Sequence, residues 1–364
     1  MKKVLKVLLV IILIPVIAFA GILVWLTAVE WRPESRETVS FISCDAGNAG
    51  ELVPGEEQTI MTWNIGYGAL GDNADFFMDG GKMVYTADVK RLEENLGFIE
   101  EKLNEISPDF LLVQEIDRNS ARSYGTDECL RFTSGGKVDL LSNSDSLFAY
   151  NFKVPIVPYP IPPIGRVNSG IFTVSAYPVS EGERIALPSP FKWPVRVANL
   201  KRCLLIARIP VADSDSMLTL VNLHLEAYDD GEGKIAQTKQ LAELLKSEAE
   251  KGNYVIAGGD FNQVFSSVDV SAYPDHPGTW QCGSIDEDEF DPGLSFYTDN
   301  SVPTCRALDR PLSEAQDKTP AGFQYYVIDG FIVSDNISVR SVETKDYGFR
   351  AADHNPVVMA FSLE

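Results

Sequence analysis

Basic residues are scarce in this chain: 31 lysines and arginines stand against 52 aspartates and glutamates, a net charge of −21. The shortage argues against a groove that grips long nucleic acid through many phosphate contacts, because so acidic a surface repels the backbone. It does not exclude a small phosphate substrate, since a bound metal ion reverses the local charge. Cysteine is sparse as well. The five cysteines (Cys44, Cys129, Cys203, Cys282 and Cys305) are scattered without a CxxC pair, against a zinc ribbon or thioredoxin-like site. An odd count leaves at least one thiol unpaired, and a Cys282–Cys305 disulfide stays open for a domain outside the cytoplasm. No internal repeat is visible. The balance of apolar and charged residues argues against wholesale disorder.

One long hydrophobic run is present. Lys2, Lys3 and Lys6 precede a nearly unbroken apolar stretch from Val7 to Val29. About 20 such residues span a bilayer core. Ala18-Phe19-Ala20 resembles a signal-peptidase site, so residues 1–31 read as an N-terminal membrane anchor or signal. The run continues through Ile22, Leu23, Val24, Trp25 and Leu26, which favours an uncleaved anchor. Lysines before the span place the N-terminus inside and the rest of the chain outside the cytoplasm, a single-pass protein of the cell membrane. Residues 32–58, polar with interspersed proline and glycine, read as a stalk, and 59–364 as one domain.

Within 59–364, apolar runs recur at 60–63, 110–113, 170–174, 204–209, 218–225, 254–257, 325–333 and 357–361. Their length and β-branched content predict buried strands. Two helical patterns interrupt them. Val89, Leu92, Leu96, Ile99, Leu103 and Ile106 form one stripe ending near Ser107-Pro108. Ile235, Leu241, Leu244 and Leu245 share a face before Gly252. The pattern predicts an α/β (α+β) sandwich of packed sheets with helices outside. The Pro-rich segment from Val154 to Gly165 reads as an ordered loop that rests on a bilayer or packs under a sheet edge.

Polar residues sit at the ends of these strands. MTWNIG places Asn64, and LLVQEID places Glu115, at strand ends. VNLHLEA carries Asn222 and His224 two apart, hence on one face of an extended chain. VIAGGDFNQ gives Asp260 and Asn262, YVIDGFIV holds Asp329 within an apolar run, and ADHNPV gives Asp353 and His354. A buried carboxylate such as Asp329 is costly without a partner. Of the three histidines, His276 lies in a polar loop and reads as a surface residue. Taken together, six such segments in order on one scaffold are hard to explain as packing and read as a functional site.

As an ordered set, TWNI, QE, NLH, GDFN, ID and DHNPV resemble the endonuclease/exonuclease/phosphatase family, the superfamily of DNase I, abasic-site endonucleases, neutral sphingomyelinases and inositol polyphosphate 5-phosphatases. The block from Asn168 (NSGIFTVSAYPV) is similar to another strand of that family, and the whole chain resembles a membrane-anchored bacterial-type member. The resemblance implies a DNase I-like four-layer sandwich of two mixed sheets flanked by helices, behind one transmembrane helix, and metal-dependent phosphoester hydrolysis. It implies Glu115 as main Mg²⁺ (or Mn²⁺) ligand, with Asn64 and Asp353 close to the metal. It implies Asp260 and Asn262 at the attacking water, and His224 and His354, the latter aligned by Asp329, on the phosphate oxygens. The alternative makes His354–Asp329 the general base and Asp260 a second-metal ligand. Asn222 and Asn168 are expected to touch substrate.

Two segments depart from the family pattern: the acidic, glycine-rich stretch 66–81, read as a surface loop, and the long insertion 266–324. Three functions remain: an anchored phosphodiesterase acting on a lipid head group or small phosphoester, an anchored nuclease, and a non-catalytic binding module. The charge disfavours the nuclease, and tethering favours a substrate at the membrane.

Overall fold

The runs at 60–63 and 110–113 become parallel neighbours, β3 (Gln58–Asn64) and β4 (Phe110–Asp117), joined by helix α2 (Val89–Ile106). The computed structural model describes residues 2–44, 50–133, 138, 143–229 and 231–364. A second unit repeats the device: β9 (Met217–His224) and β10 (Tyr254–Asp260) are parallel and joined by α4 (Glu232–Glu250). Helix α2 begins and ends for a local reason. Asp88 caps α2 by accepting a hydrogen bond from Arg91 N at 2.7 Å, and Ser107, left-handed at φ 46°, ends it before Pro108.

Each pair is the centre of a seven-stranded mixed sheet. The first sheet runs β17 (Ile337–Thr344), β18 (Val357–Leu363), β3, β4, β6 (Gly165–Ser175), β5 (Asp145–Val157) and β2 (Phe41–Cys44). The second runs β1 (Arg36–Thr38), β7 (Glu181–Ala186), β8 (Cys203–Pro210), β9, β10, β16 (Asp329–Ser334) and β13 (Leu294–Tyr297). Two small ribbons lie beside them: β11 (Gln263–Phe265) with β12 (Gly283–Ile285), and β14 (Cys305–Arg306) with β15 (Tyr325–Tyr326). A short helix, α3 (Glu128–Thr133), follows β4.

The strands' period of two sorts their side chains into layers. Phe110 and Leu112 of β4 meet Leu218, Leu220 and Ile256 of the other sheet in a common core. Leu111 and Val113 face Leu92, Leu96, Ile99 and Leu103 of α2. Val255 and Ala257 face Leu241 and Leu245 of α4. The result is helix, sheet, sheet, helix. The sheets approach so closely at Gly258 that an added Cβ would lie 2.6 Å from Phe331 and 2.9 Å from Leu112. At Gly259, where φ is +152°, it would collide with the Leu223 carbonyl.

Several expectations need correction. Residues 32–58 are not a free stalk: β1 and β2 pair at the edges of the two sheets, and Leu52 is buried in the inter-sheet core. Strands of three or four residues within polar sequence give no periodic signal, but sheet edges need cover. The run 325–333 divides between β15 and β16, so Asp329 opens a strand rather than sitting inside one. Ile235 is 66% exposed and does not share the buried face of Leu241. The segment after β3 is not a surface loop, since Tyr67, Leu70 and Ala74 are buried against α2. Cys282 and Cys305 are both free thiols. The Pro-rich segment splits: Val154 and Ile164 are buried, whereas Tyr159 and Ile161 are exposed.

Helix α1 (Lys2–Ala28) is long and apolar enough to cross a membrane. Its turns are exposed along most of their length, but its C-terminal end docks on the domain: Leu26 is only 2% exposed.

Candidate active site

In both parallel pairs the strands deliver their C-terminal ends to the same edge of the sandwich, the usual site for ligands in α/β sheets. β3 ends in Asn64, β9 in His224 and β10 in Asp260. The register pairs Asp260 with His224 on one side and with Asp329 on the other. Asp353 and His354 enter β18 from the same edge, because β18 runs antiparallel to β3.

The side chains interlock. Asn64 Nδ2 donates to Asp260 Oδ2 at 3.1 Å and to Glu115 Oε1 at 3.4 Å, while Gly66 N fixes Asn64 Oδ1 at 3.1 Å. His354 Nδ1 lies 2.9 Å from Asp329 Oδ2, and its Nε2 lies 3.7 Å from Asp260 Oδ2. Trp63 Nε1 donates to the His354 carbonyl at 2.9 Å. His224 Nε2 lies 3.4 Å from Asp260 Oδ2. Asn262 N donates to Asp260 Oδ1 at 2.9 Å and its amide reaches Leu225 O at 3.0 Å.

Glu115 breaks the alternation of its strand. Strict alternation turns Gln114 into the sandwich and Glu115 away from it. A bulge between Val113 and Ile116, with φ +52° at Glu115, brings the carboxylate back beside Asn64. Asn262 also has φ +52°. Such backbone conformations in non-glycine residues cluster at functional sites.

Electrostatics separate the two histidines. His224 is pushed well below the usual range by burial and by the charges of Arg202 and His354, so it is neutral. Burial also opposes charge on His354, but the Asp329 carboxylate, with Asp260 nearby, outweighs it and holds the ring well above the usual imidazole range. Burial, with repulsion from Asp329, raises the Asp260 carboxyl to about 7. Asp353 is raised to about 7 by burial and by the neighbouring Glu115.

Glu115, Asp353 and Asn64 form an all-oxygen set suited to a hard divalent cation. The buried Oδ1 of Asp353 has no hydrogen-bond partner, as fits a carboxylate that meets a cation. Among the described residues, the His, Cys, Asp and Glu groups whose ligand atoms all lie within 4.8 Å of one another are Cys305 with Asp353 and His354, and Asp260 with Asp329 and His354. In both, a cation would have to displace the proton that Asp329 holds on His354, and in the first also that of the Cys305 thiol, which burial pushes up to about 12.

Residues 61–344 match the Endonuclease/Exonuclease/phosphatase family, which is well over half of the chain. The chain belongs to the endonuclease/exonuclease/phosphatase family. It is a metal-dependent phosphoric ester hydrolase of the phosphodiesterase and nuclease type. Solved structures agree on the fold. An endonuclease/exonuclease/phosphatase from Beutenbergia cavernae has a TM-score of 0.54 at 17% identity, covering 84% of this chain and 72% of its own. One from Bacteroides vulgatus has a TM-score of 0.52 at 14% identity, covering 85% and 100%. The human Nocturnin catalytic domain, solved with bound sulfate, has a TM-score of 0.50 at 16% identity, covering 90% and 98%. No curated protein matches the chain in sequence.

Two expected site residues of this family enzyme lie elsewhere. Asn222 is on the same strand face as His224 but two residues deeper. It is fully buried, accepts from Gln114 Nε2 at 2.8 Å and donates to Phe172 O at 2.9 Å, so it clamps the two sheets and is closed to substrate. Asn168 turns its amide to Asn119 O at 3.4 Å, while its neighbour Ser169, on the opposite face of β6, lines the cavity. His276 is part-buried, with Nε2 2.8 Å from Pro320 O.

Several site residues carry no sequence signal. Arg122 stacks 3.6 Å over the Tyr67 ring, is held by Asp117 at 3.0 Å and faces the cavity. Arg202 supports His224 through its carbonyl at 3.1 Å. Tyr228 reaches Asp79 Oδ1 at 2.8 Å, joining the segment after β3 to the one after β9. The insertion 266–324 contributes Trp280 and Cys305 to the cavity.

Proposed function

We propose that the chain is a membrane-anchored, extracytoplasmic, Mg²⁺-dependent phosphodiesterase that cleaves a lipid head group or another small phosphoester. The observation that carries this reading is the convergence of Asp260, His354–Asp329 and the Glu115/Asp353/Asn64 set at one edge of the sandwich. The same edge offers Arg122, Arg202 and Arg306 as cavity cations, the first two tied to carboxylates and the third to backbone carbonyls. That supports recognition of a single phosphoester better than of a phosphate chain.

Glu115, Asp353 and Asn64 would hold the divalent ion. When bound, the ion neutralises charge on the phosphoryl oxygens. Asp260, near 7, is poised to take a proton from the attacking water, with Asn262 fixing its other oxygen. The water oxygen bonds to phosphorus, the opposite P–O bond breaks, and its electron pair leaves with the alcohol oxygen. Protonated His354, oriented by Asp329, stabilises the growing negative charge, as does the neutral ring of His224 through its N–H. A protonated His354 is a poor general base, which favours Asp260 in that role.

The test is a phosphoester panel with the full chain in detergent: bis(p-nitrophenyl) phosphate, glycerophosphodiesters, phospholipid vesicles and plasmid DNA, each in EDTA, Mg²⁺ or Mn²⁺. The expected result is diester and lipid turnover that vanishes in EDTA and returns with metal. Efficient plasmid nicking without diester turnover would establish the nuclease instead, and no turnover at all a binding module. Orientation is read separately: protease added to intact cells should digest residues 32–364 and spare the helix.

A further inference from the structure

Helix α1 is fixed against the catalytic domain rather than hanging from it. Trp193 Nε1 donates to Thr27 Oγ1 at 3.1 Å, and Lys201 Nζ donates to Glu30 Oε1 at 3.2 Å. Arg196 Nε lies 3.3 Å from the same Glu30 oxygen, and Trp31 meets Tyr150 edge-on. The docked face has a consequence for the active site. A single cavity of about 670 Å³ is lined at one end by Glu115, Asp260 and His354 and at the other by Phe19, Ile22, Leu23 and Leu26 of α1. Phe19 is nine residues from the helix end, roughly 13 Å along its axis. The cavity therefore reaches from the phosphoester chemistry into the depth a bilayer would occupy.

Its walls change character along the way. The cations Arg122, Arg202 and Arg306 go with the catalytic groups: Arg122 is held by Asp117 on β4, Arg202 donates to the His224 carbonyl and Arg306 N to the Asp353 carbonyl. The lining also includes Val195 and Val197, on the turn that packs against α1, and an apolar group of Phe77, Val157 and Tyr159. Several large apolar side chains on this side are open to solvent: Tyr159 (69% exposed), Ile161 (94%), Trp193 (56%) and Val195 (57%). Apolar groups gathered this way mark a membrane or ligand surface, and Trp and Tyr favour the head-group level.

We infer that α1 is a wall of the substrate site as well as an anchor, and that the occupant of its apolar end is the hydrocarbon chain of a membrane lipid phosphoester. This rests on the phosphodiesterase reading and narrows its substrate. An amphiphile matches the cavity end for end: its phosphate meets the charged groups and its chain follows α1 out into the bilayer. The anchor then sets the height of the site above the membrane and delivers substrate without full extraction into water. A nucleic acid would leave the apolar end empty.

The test uses the full chain in nanodiscs and a homologous series of alkyl p-nitrophenyl phosphodiesters, butyl to dodecyl. Hydrolysis breaks the aryl P–O bond and releases p-nitrophenolate, with the water oxygen retained on the alkyl phosphate. Wild-type kcat/KM should rise at least about tenfold along the series as methylenes are buried. Leu23→Trp and Val195→Trp fill the passage from opposite walls and should flatten that rise to less than about threefold. Membrane partition of the esters is the same for every variant, so a rise unchanged in both variants would overturn the inference. A second measurement needs no variant and no turnover. A dodecyl diester with a terminal diazirine, photolysed on the wild-type chain, should label residues 19–26 and 191–198. Labelling confined to other segments would overturn the passage. Absence of turnover across the whole series in the wild type, with labelling intact, would instead overturn the hydrolase chemistry and leave the lipid passage standing.

Discussion

The two βαβ units place different chemistry by the same device. In β3–α2–β4 the parallel strands end in Asn64 and, through a bulge, Glu115, and this half presents oxygen ligands with no histidine. In β9–α4–β10 they end in His224 and Asp260, and this half presents an imidazole and a carboxylate raised to about 7. The second half keeps regular alternation, so its side chains face inward without strain. The first half needs φ +52° at Glu115 to do so. On the proposed roles, Glu115 and Asn64 come from one sheet and Asp260 from the other, while Asp353 and His354 enter β18 of the first. Asn64, donating to both Glu115 and Asp260, is the direct link between the two sheets.

That division can be broken experimentally. The largest effect should come from removing the metal function: EDTA should abolish hydrolysis and Mg²⁺ or Mn²⁺ restore it, and full activity in EDTA would remove Glu115 from its assigned role. Next come the proton and charge functions, Asp260 at the end of β10 in the second sheet and His354 just before β18 in the first. Asp260→Asn should lower kcat by at least about 10²-fold with metal affinity retained. His354→Ala should cost at least as much, because it also strips buried Asp329 of its partner. Wild-type rates in either folded variant would reject the mechanism.

A subtler effect concerns pH. Asp353 is raised to about 7, so below that value the carboxyl carries a proton that metal binding must displace. Apparent Mg²⁺ affinity should therefore rise with pH, by up to about tenfold per unit for one displaced proton, and level off above about 7. Calorimetric titration at several pH values checks this, and affinity that is flat or falling between pH 5 and 7 would contradict the assignment. The smallest effect on catalysis should come from Asn222, which joins the halves without touching the site. Asn222→Leu should destabilise the fold by about 1–3 kcal/mol, since Gln114 loses a buried acceptor and the Phe172 carbonyl a donor, while kcat stays near wild type. Thermal unfolding alongside kinetics separates the two readouts.

How much of this was legible depended on the range of the interaction. The strands at 60–63, 110–113 and 254–257 announce themselves by apolar runs, and α2 by its stripe from Leu92 to Leu103. The polar residue at each strand end stands out because it interrupts such a run. Depth is another matter: Asn222 and His224 share a face, and only the length of β9 decides that one is sealed between the sheets while the other reaches the cavity. Asn168 and Ser169 pose the same problem, since a one-residue choice of face exchanges their roles. The edge strands β1 and β2 were invisible because three or four residues carry no period.

The sequence by itself determined the ingredients: an apolar helix long enough to span a bilayer, two helix-linked strand pairs, and carboxylates, amides and imidazoles at the ends of those strands. These follow from local rules of periodicity and chain termination, which act over a few residues. Only the tertiary structure decided which of those groups meet. Asn64 and Asp260 lie 196 positions apart in the chain, yet they share a hydrogen bond because two separately formed sheets pack face to face. The same packing raised Asp260 and Asp353 by burial, protonated His354 between carboxylates and seated the end of α1 beside the cavity. Burial and charge proximity are properties of three-dimensional neighbourhood, and no local pattern in the chain encodes them.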